Sequence, residues 1–149
     1  GSLLVTGDPG AGKTGALVNA ANLLQQEPDT ELLLLAVDRF PGVAIAADLQ
    51  SELGLTHSLL EVLDNFPARG RKILIIDALD AARGGPSEAV FAALVEQAQS
   101  LDGWTVVASI RTFDLRNGRR FRQAFAGTPA DIGFADPLLG NVRHFTVPA

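Results

Sequence analysis

Leu3-Leu4-Val5-Thr6-Gly7-Asp8-Pro9-Gly10-Ala11-Gly12-Lys13-Thr14 decides how this chain is read. A short apolar run ends in a glycine-rich turn, and Lys13-Thr14 open a segment of helical spacing. Gly7, four residues, then Gly12-Lys13-Thr14 is the spacing of a phosphate-binding loop, in the strand-before, helix-after context that such a loop requires. Phosphates need backbone N–H groups aimed inward, and glycines let the backbone come that close. The helix N-terminus adds unpaired donors and partial positive charge. On this pattern Gly7, Asp8, Pro9, Gly10, Ala11, Gly12, Lys13, Thr14 and Gly15 would line the phosphates. Lys13 would reach the β- and γ-phosphates, and the Thr14 hydroxyl would ligate Mg²⁺.

Working outward, strand and helix alternate to the end of the chain. Leu3–Thr6 reads as the first strand and about Lys13–Gln26 as a helix, with Leu17, Val18, Ala21 and Leu24 at helical spacing. Glu31–Val37 is a continuously apolar strand, as expected for burial on both faces. Helical regions follow at about Val43–Leu53 and Thr56–Asn65, the second with Leu59, Leu60 and Leu63 inward. Lys72–Asp77 is a third strand, and a helix runs from Pro86 to about Ser100. Trp104–Ile110 is a fourth strand, with Arg111 directly after it. Residues 112–126 read as a short helical turn and then a helix. Thr128–Gly140 reads as a loop, and Val142–Val147 as a last strand. Crossovers long enough for helices imply a mainly parallel five-stranded sheet covered on both faces, a three-layer α/β architecture. Ligands of such sheets bind outside the carboxyl ends of the strands, where Thr6-Gly7, Asp38, Asp77 and Arg111 fall.

The composition fits one domain over residues 1–149. The chain is 47% apolar and 19% charged, with a formal net charge of −5. Cysteine is absent, which excludes disulfides, thiolate metal sites and cysteine nucleophiles. No apolar run is long enough for a membrane span, and the first strand lacks the basic flank of a signal peptide, so a cytoplasmic protein is expected. Methionine is also absent, which predicts a piece of a longer protein. Only Lys13 and Lys72 are lysines, against ten arginines.

Asp77 closes an apolar strand, as a Walker B carboxylate does, and would hold Mg²⁺ with Thr14. The next residue, Ala78, stands where many ATPases carry a water-polarising glutamate and can do no proton chemistry. Asp80 is the nearest carboxylate for that task. Arg111, at the same edge, could reach a γ-phosphate. The arginines and phenylalanines of 111–125 also resemble a nucleic-acid surface, but the acidic whole favours an amphipathic helix with its aromatics in the core. His57 and His144 lack partners at ligand spacing and read as structural. Thr30, Ser58 and Ser109 have no recognisable triad partners.

Together, Gly7-Asp8-Pro9-Gly10-Ala11-Gly12-Lys13-Thr14, Ile73-Leu74-Ile75-Ile76-Asp77-Ala78-Leu79-Asp80-Ala81 and Ser109-Ile110-Arg111 resemble the STAND class of P-loop NTPases, which includes the NACHT proteins. The resemblance implies an ASCE-type P-loop core with strand order 5-1-4-3-2. It also implies ATP and ADP as ligands with Mg²⁺, and a nucleotide switch that controls other domains and self-association. Arg111 matches the class's sensor position. The helical lid and winged-helix domain that follow this core in the class have no counterpart in the 149 residues. Many NACHT proteins carry glycine at the Ala78 position and an acid at the Ala81 position, so the two alanines leave subgroup and rate of hydrolysis open.

Three readings stand at this point. The first is an ATP-binding, slowly hydrolysing regulatory core in which Lys13, Asp80 and Arg111 carry the chemistry. The second is a nucleotide or small-molecule kinase, with residues 111–122 as its arginine-rich lid. The third is a nucleotide-binding interaction module without turnover, made credible by Ala78.

Overall fold

In the computed structural model, which describes residues 1–67 and 70–148, all five strands run parallel in one sheet. Along the chain come β1 (Ser2–Gly7), α1 (Lys13–Gln25), β2 (Glu31–Ala36), α2 (Ala46–Glu52), α3 (Leu59–Asp64) and β3 (Lys72–Asp77). They are followed by α4 (Glu88–Ala98), β4 (Trp104–Arg111), α5 (Thr112–Asn117), α6 (Arg119–Ala124) and β5 (His144–Thr146). The strand order is β2-β3-β4-β1-β5, or 5-1-4-3-2 counted from the β5 edge, with β4 between β1 and β3.

Successive residues of a strand point to opposite faces, and the core divides accordingly. Leu4, Leu74, Ile76, Val106, Ala108 and Ile110 face the larger core. There they meet Leu49 and Leu63 from α2 and α3, Phe91 and Val95 from α4, and Leu115 and Phe121 from α5 and α6. Val5, Ile73 and Ile75 face the other side, where Leu17 of α1 is the buried helical residue. Right-handed crossovers explain the split. The connection from β1 runs outward to the β2 edge, so α1 lies on one face. Every later connection runs back the other way and lies on the opposite face.

One helix cannot cover a five-stranded sheet, and this corrects the expectation of full cover on both faces. β2, expected to be buried on both sides, is an edge strand, and its Leu34 is 67% exposed. Val18 of α1 is about half exposed for the same reason. A continuous apolar run does not distinguish a central strand from an edge strand.

Local chemistry accounts for several helix starts. Ala46 rather than Val43 begins α2, because the Asp48 carboxylate accepts from the N–H groups of Ala44 and Ile45 at 2.9 and 3.0 Å. These two bonds hold the Asp48 carboxyl below its ordinary range. Ser58 caps α3 by accepting from Glu61 N–H. The expected loop 128–140 carries two 3₁₀ turns, Ile132–Phe134 and Pro137–Leu139, each led by an aspartate that caps it. Trp104 anchors the start of β4: it is buried, its indole N–H donates to Leu63 O at 2.8 Å, and its ring meets Phe66 edge-on. Phe121 and Phe125 are fully buried, whereas Phe113 is exposed under the Arg83 guanidinium. Among the described residues no helix is long and apolar enough to cross a membrane.

The parallel register positions the candidate site. Gly7 pairs with Arg111, and Ala36 with Asp77. Ile76 pairs with Ala108, so Asp77 and Ser109 stand one step further along adjacent strands. The carboxyl ends of β1, β3 and β4 therefore open onto one edge.

Candidate phosphate-binding site

Between β1 and α1 the backbone makes a tight loop. Ala11 N–H donates to Asp8 O at 3.0 Å, closing a turn over Pro9-Gly10. Gly10 and Gly12 have φ of +80° and +91°, a region that L side chains reach only at a cost. A Cβ at either glycine would meet no atom within 4 Å, so backbone conformation, not crowding, demands glycine there. Their surroundings are open, which leaves room for a ligand against the backbone. Gly7 differs: its Cβ would come within 3.3 Å of the Ala11 side chain.

Gly12 is also the N-cap of α1. It offers no side-chain acceptor, and the first turn of α1 contains no acid. The leading N–H groups of a 13-residue helix therefore point into the loop without a side-chain partner. Lys13 folds back and donates its Nζ to Asp8 O at 3.0 Å. Among the described residues Lys13 makes no ion pair, so its charge faces the loop uncompensated. Donors, helix dipole and ammonium are features that favour an anion.

The other half of the site comes from β3 and β4. The Thr14 hydroxyl donates to Asp77 Oδ1 at 3.4 Å, which brings together the two residues assigned to the metal from sequence. Ser109, buried near the end of β4, donates to the same Oδ1 at 2.6 Å and accepts from Ala78 N–H at 2.8 Å. Ala78 has φ +64° and ψ +52°, so the residue after Asp77 is left-handed without being glycine. The Ser109 hydroxyl holds both the carboxylate and the strained turn behind it. Thr6 and Thr112 pair through their hydroxyls at 3.2 Å just beneath the loop.

Asp80 and Arg111 also meet. Asp80 Oδ1 accepts from the Arg111 backbone N–H at 3.1 Å, and Oδ2 lies 3.5 Å from Arg111 Nε. Arg111 Nε donates to Asp114 Oδ2 at 2.8 Å, and Arg83 Nε donates to the other oxygen of that buried carboxylate. Asp38 is exposed beyond β2 and joins none of these contacts. His57 is exposed and lies 3.4 Å from Glu61, so the expectation that it lacks a nearby acid does not hold, while the buried His144 accepts from Asp136 N–H through Nε2 at 2.9 Å, as a structural histidine does.

Beside Gly7 and Asp8 lies a hollow of about 310 Å³, bounded by Thr112, Arg116, Asp136 and Val147. Arg116 Nε donates to Asp136 Oδ2 at 2.7 Å. Burial pushes the Asp136 carboxyl up, but Arg116 and the Leu138 N–H outweigh it and hold it below the usual carboxylate range.

Sequence reasoning named Ser109 without seeing its place beside Asp77, and it missed Asp114. Ser109 is a lone hydroxyl in an apolar strand, and it has no triad partner because its partners are Asp77 and a backbone amide. Asp114 follows Arg111 by three residues, a spacing that pairs side chains at the start of a helix. No protein-family model matches this sequence, and no curated protein is significantly similar to it.

Proposed function

We propose that the chain is the nucleotide-binding core of a STAND-like, ASCE-type P-loop NTPase, a Mg²⁺-dependent switch that binds ATP and ADP. One observation carries the reading. A helix N-terminus without a side-chain cap, two left-handed glycines and a lysine that makes no ion pair among the described residues converge on a loop whose neighbour is the Thr14–Asp77 pair. The strand order, with β4 inserted between β1 and β3, supports the same reading. Residues 7–15 would hold the phosphates, and the hollow beside Gly7 and Asp8 would offer room for the nucleoside.

Thr14 Oγ1 and the Asp77 carboxylate are hard oxygen donors, which suits Mg²⁺. Among the described residues no cluster of three or more acidic, histidine or cysteine side chains gathers, so the remaining ligands would be phosphate and water oxygens. When bound, the ion supplies charge neutralisation at the phosphates. Lys13 adds positive charge at the terminal phosphates, and the loop amides orient them.

Slow turnover follows from the residues around Asp77. Ala78 offers no acid, and both oxygens of Asp80 already face Arg111. Asp80 has to release Arg111 before it can orient a water. This also favours the module without turnover over the kinase. A switch core of this kind controls other domains of its own chain and its self-association.

Calorimetric titration of ATP·Mg²⁺ tests the binding claim. Lys13→Ala should abolish the heat of binding, and an affinity equal to the parent's would refute the site. Asp80→Asn should slow phosphate release and spare binding. Equal turnover in the two proteins would remove Asp80 from the chemistry.

A further inference from the structure

Arg111 is held in an unusual way. Its Nε donates to Asp114 Oδ2, its backbone N–H donates to Asp80, and among the described residues neither Nη1 nor Nη2 has a hydrogen-bond partner. The guanidinium is therefore anchored by its inner nitrogen, with the outer fork presented to solvent. Its side chain is 47% exposed, against 4% for the Asp114 side chain that grips it. The fork is the part of arginine that matches the oxygens of a phosphate.

Asp114 can do this because it is fixed itself. It sits in the first turn of α5, which Arg111 leads, and a carboxylate there is favoured by the helix dipole. Its second oxygen takes Arg83, whose guanidinium also stacks over Phe113 at 5.4 Å. One buried carboxylate thus ties the turn after β3 to the end of β4, and its two oxygens serve two arginines.

We propose that Asp114 is a positioning residue that orders Arg111 so that its free fork can read the terminal phosphate, giving the site its preference for ATP over ADP. This rests on the nucleotide reading above. ADP lacks the phosphate that the fork would meet, so Asp114 affects ATP affinity and leaves ADP affinity alone. Asparagine at 114 offers one acceptor oxygen and an amide that opposes an arginine. It keeps the better-buried Arg83 and loosens Arg111, whose Nε is then left with only the longer, 3.5 Å contact to Asp80. Losing the ordering of one long side chain should cost about two- to ten-fold in ATP affinity.

The experiment is calorimetry with Mg²⁺ and either ADP or a non-hydrolysable ATP analogue, on the parent, Asp114→Asn, Arg111→Lys and the double variant. Asp114→Asn should lower the ATP-to-ADP preference with ADP affinity unchanged, and it should add nothing in the Arg111→Lys background. Equal loss for both nucleotides, or the same loss in both backgrounds, overturns the inference. If Asp114→Asn does not fold, Arg111→Lys against Arg111→Gln decides. Lysine has one nitrogen and cannot hold Asp114 and a phosphate at separate atoms. A lysine variant as poor as glutamine supports the anchoring, and one with the parental preference overturns it. A parent that binds both nucleotides equally overturns the inference alone. A parent that binds neither refutes the nucleotide site and the inference with it.

Discussion

Replacing Ser109 by alanine removes one oxygen that does two jobs. The hydroxyl donates to Asp77 Oδ1 at 2.6 Å and accepts from Ala78 N–H at 2.8 Å. A hydrogen bond to a charged group contributes about 1.5–3 kcal/mol, and an amide left without a partner in a buried place costs about 1–3 kcal/mol. The two do not add in full, because Asp77 is only half-buried and keeps Thr14 as a neighbour. We expect Ser109→Ala to destabilise the fold by about 2 kcal/mol. Urea unfolding measures this cleanly, because Trp104 is the only tryptophan, tyrosine is absent and the indole is buried. With a urea dependence of about 2 kcal/mol per M, the midpoint should fall by about 1 M at unchanged slope. Joint replacement of Ser109 by alanine and Ala78 by glycine should cost less than the sum, since glycine lets the turn re-aim its N–H toward water. A loss under about 0.5 kcal/mol for Ser109→Ala would refute the assignment of both bonds to this hydroxyl.

Two further outcomes follow from the same geometry. Ala78→Gly relieves a left-handed conformation costing roughly 1–2 kcal/mol and gives back about 0.4–1 kcal/mol in chain entropy, for a net gain of about 0.5–1 kcal/mol. Thermal melts by circular dichroism should show a higher midpoint, and a lower one would contradict the strain at φ +64°. The Asp136 carboxyl is held below its unfolded value of about 3.9, so its contribution is complete above about pH 4 and is lost as pH falls through the lower folded value. Urea midpoints measured from neutral to acid pH should fall less steeply in Asp136→Asn than in the parent, and identical slopes would discard the Arg116 pair as a source of acid sensitivity.

Much of the fold was legible because the information is local. Lys72–Asp77 was read to the residue, since a short β-branched run between Gly70 and a carboxylate leaves little choice. The glycine-rich loop after β1 is a code in backbone conformation, and positions 10 and 12 are left-handed as their glycines allow. Helix ends were less legible. The starts of α2 and α3 depend on which of several polar side chains wins the capping bonds, here Asp48 and Ser58. β2 was misjudged because burial belongs to the sheet and its helices, not to the strand. Leu34 is as apolar as Leu35, yet one is exposed and the other buried, because α1 stops short of the former.

The site divides along the same line. Lys13, Thr14 and Asp77 could be nominated from sequence because each belongs to a contiguous motif, and the fold brings Thr14 and Asp77 together. The contacts of Ser109 and Asp114 were missed because their partners Ala78 and Arg83 lie 31 residues earlier in the chain. No spacing rule covers that distance. Strand register does: with Ile76 opposite Ala108, the next step sets Ser109 against Asp77, and Arg111 stands two residues further along β4. A sequence that announces a parallel sheet therefore contains more of its site than its motifs show. Aligning the ends of β3 and β4 from the sequence places Ser109 beside Asp77. Asp114 needed a second step, because its burial depends on α5 folding back against the turn after β3. The grip on phosphate proposed for the loop can be read from its motif, while the discrimination proposed for Arg111 depends on contacts made only in the folded chain.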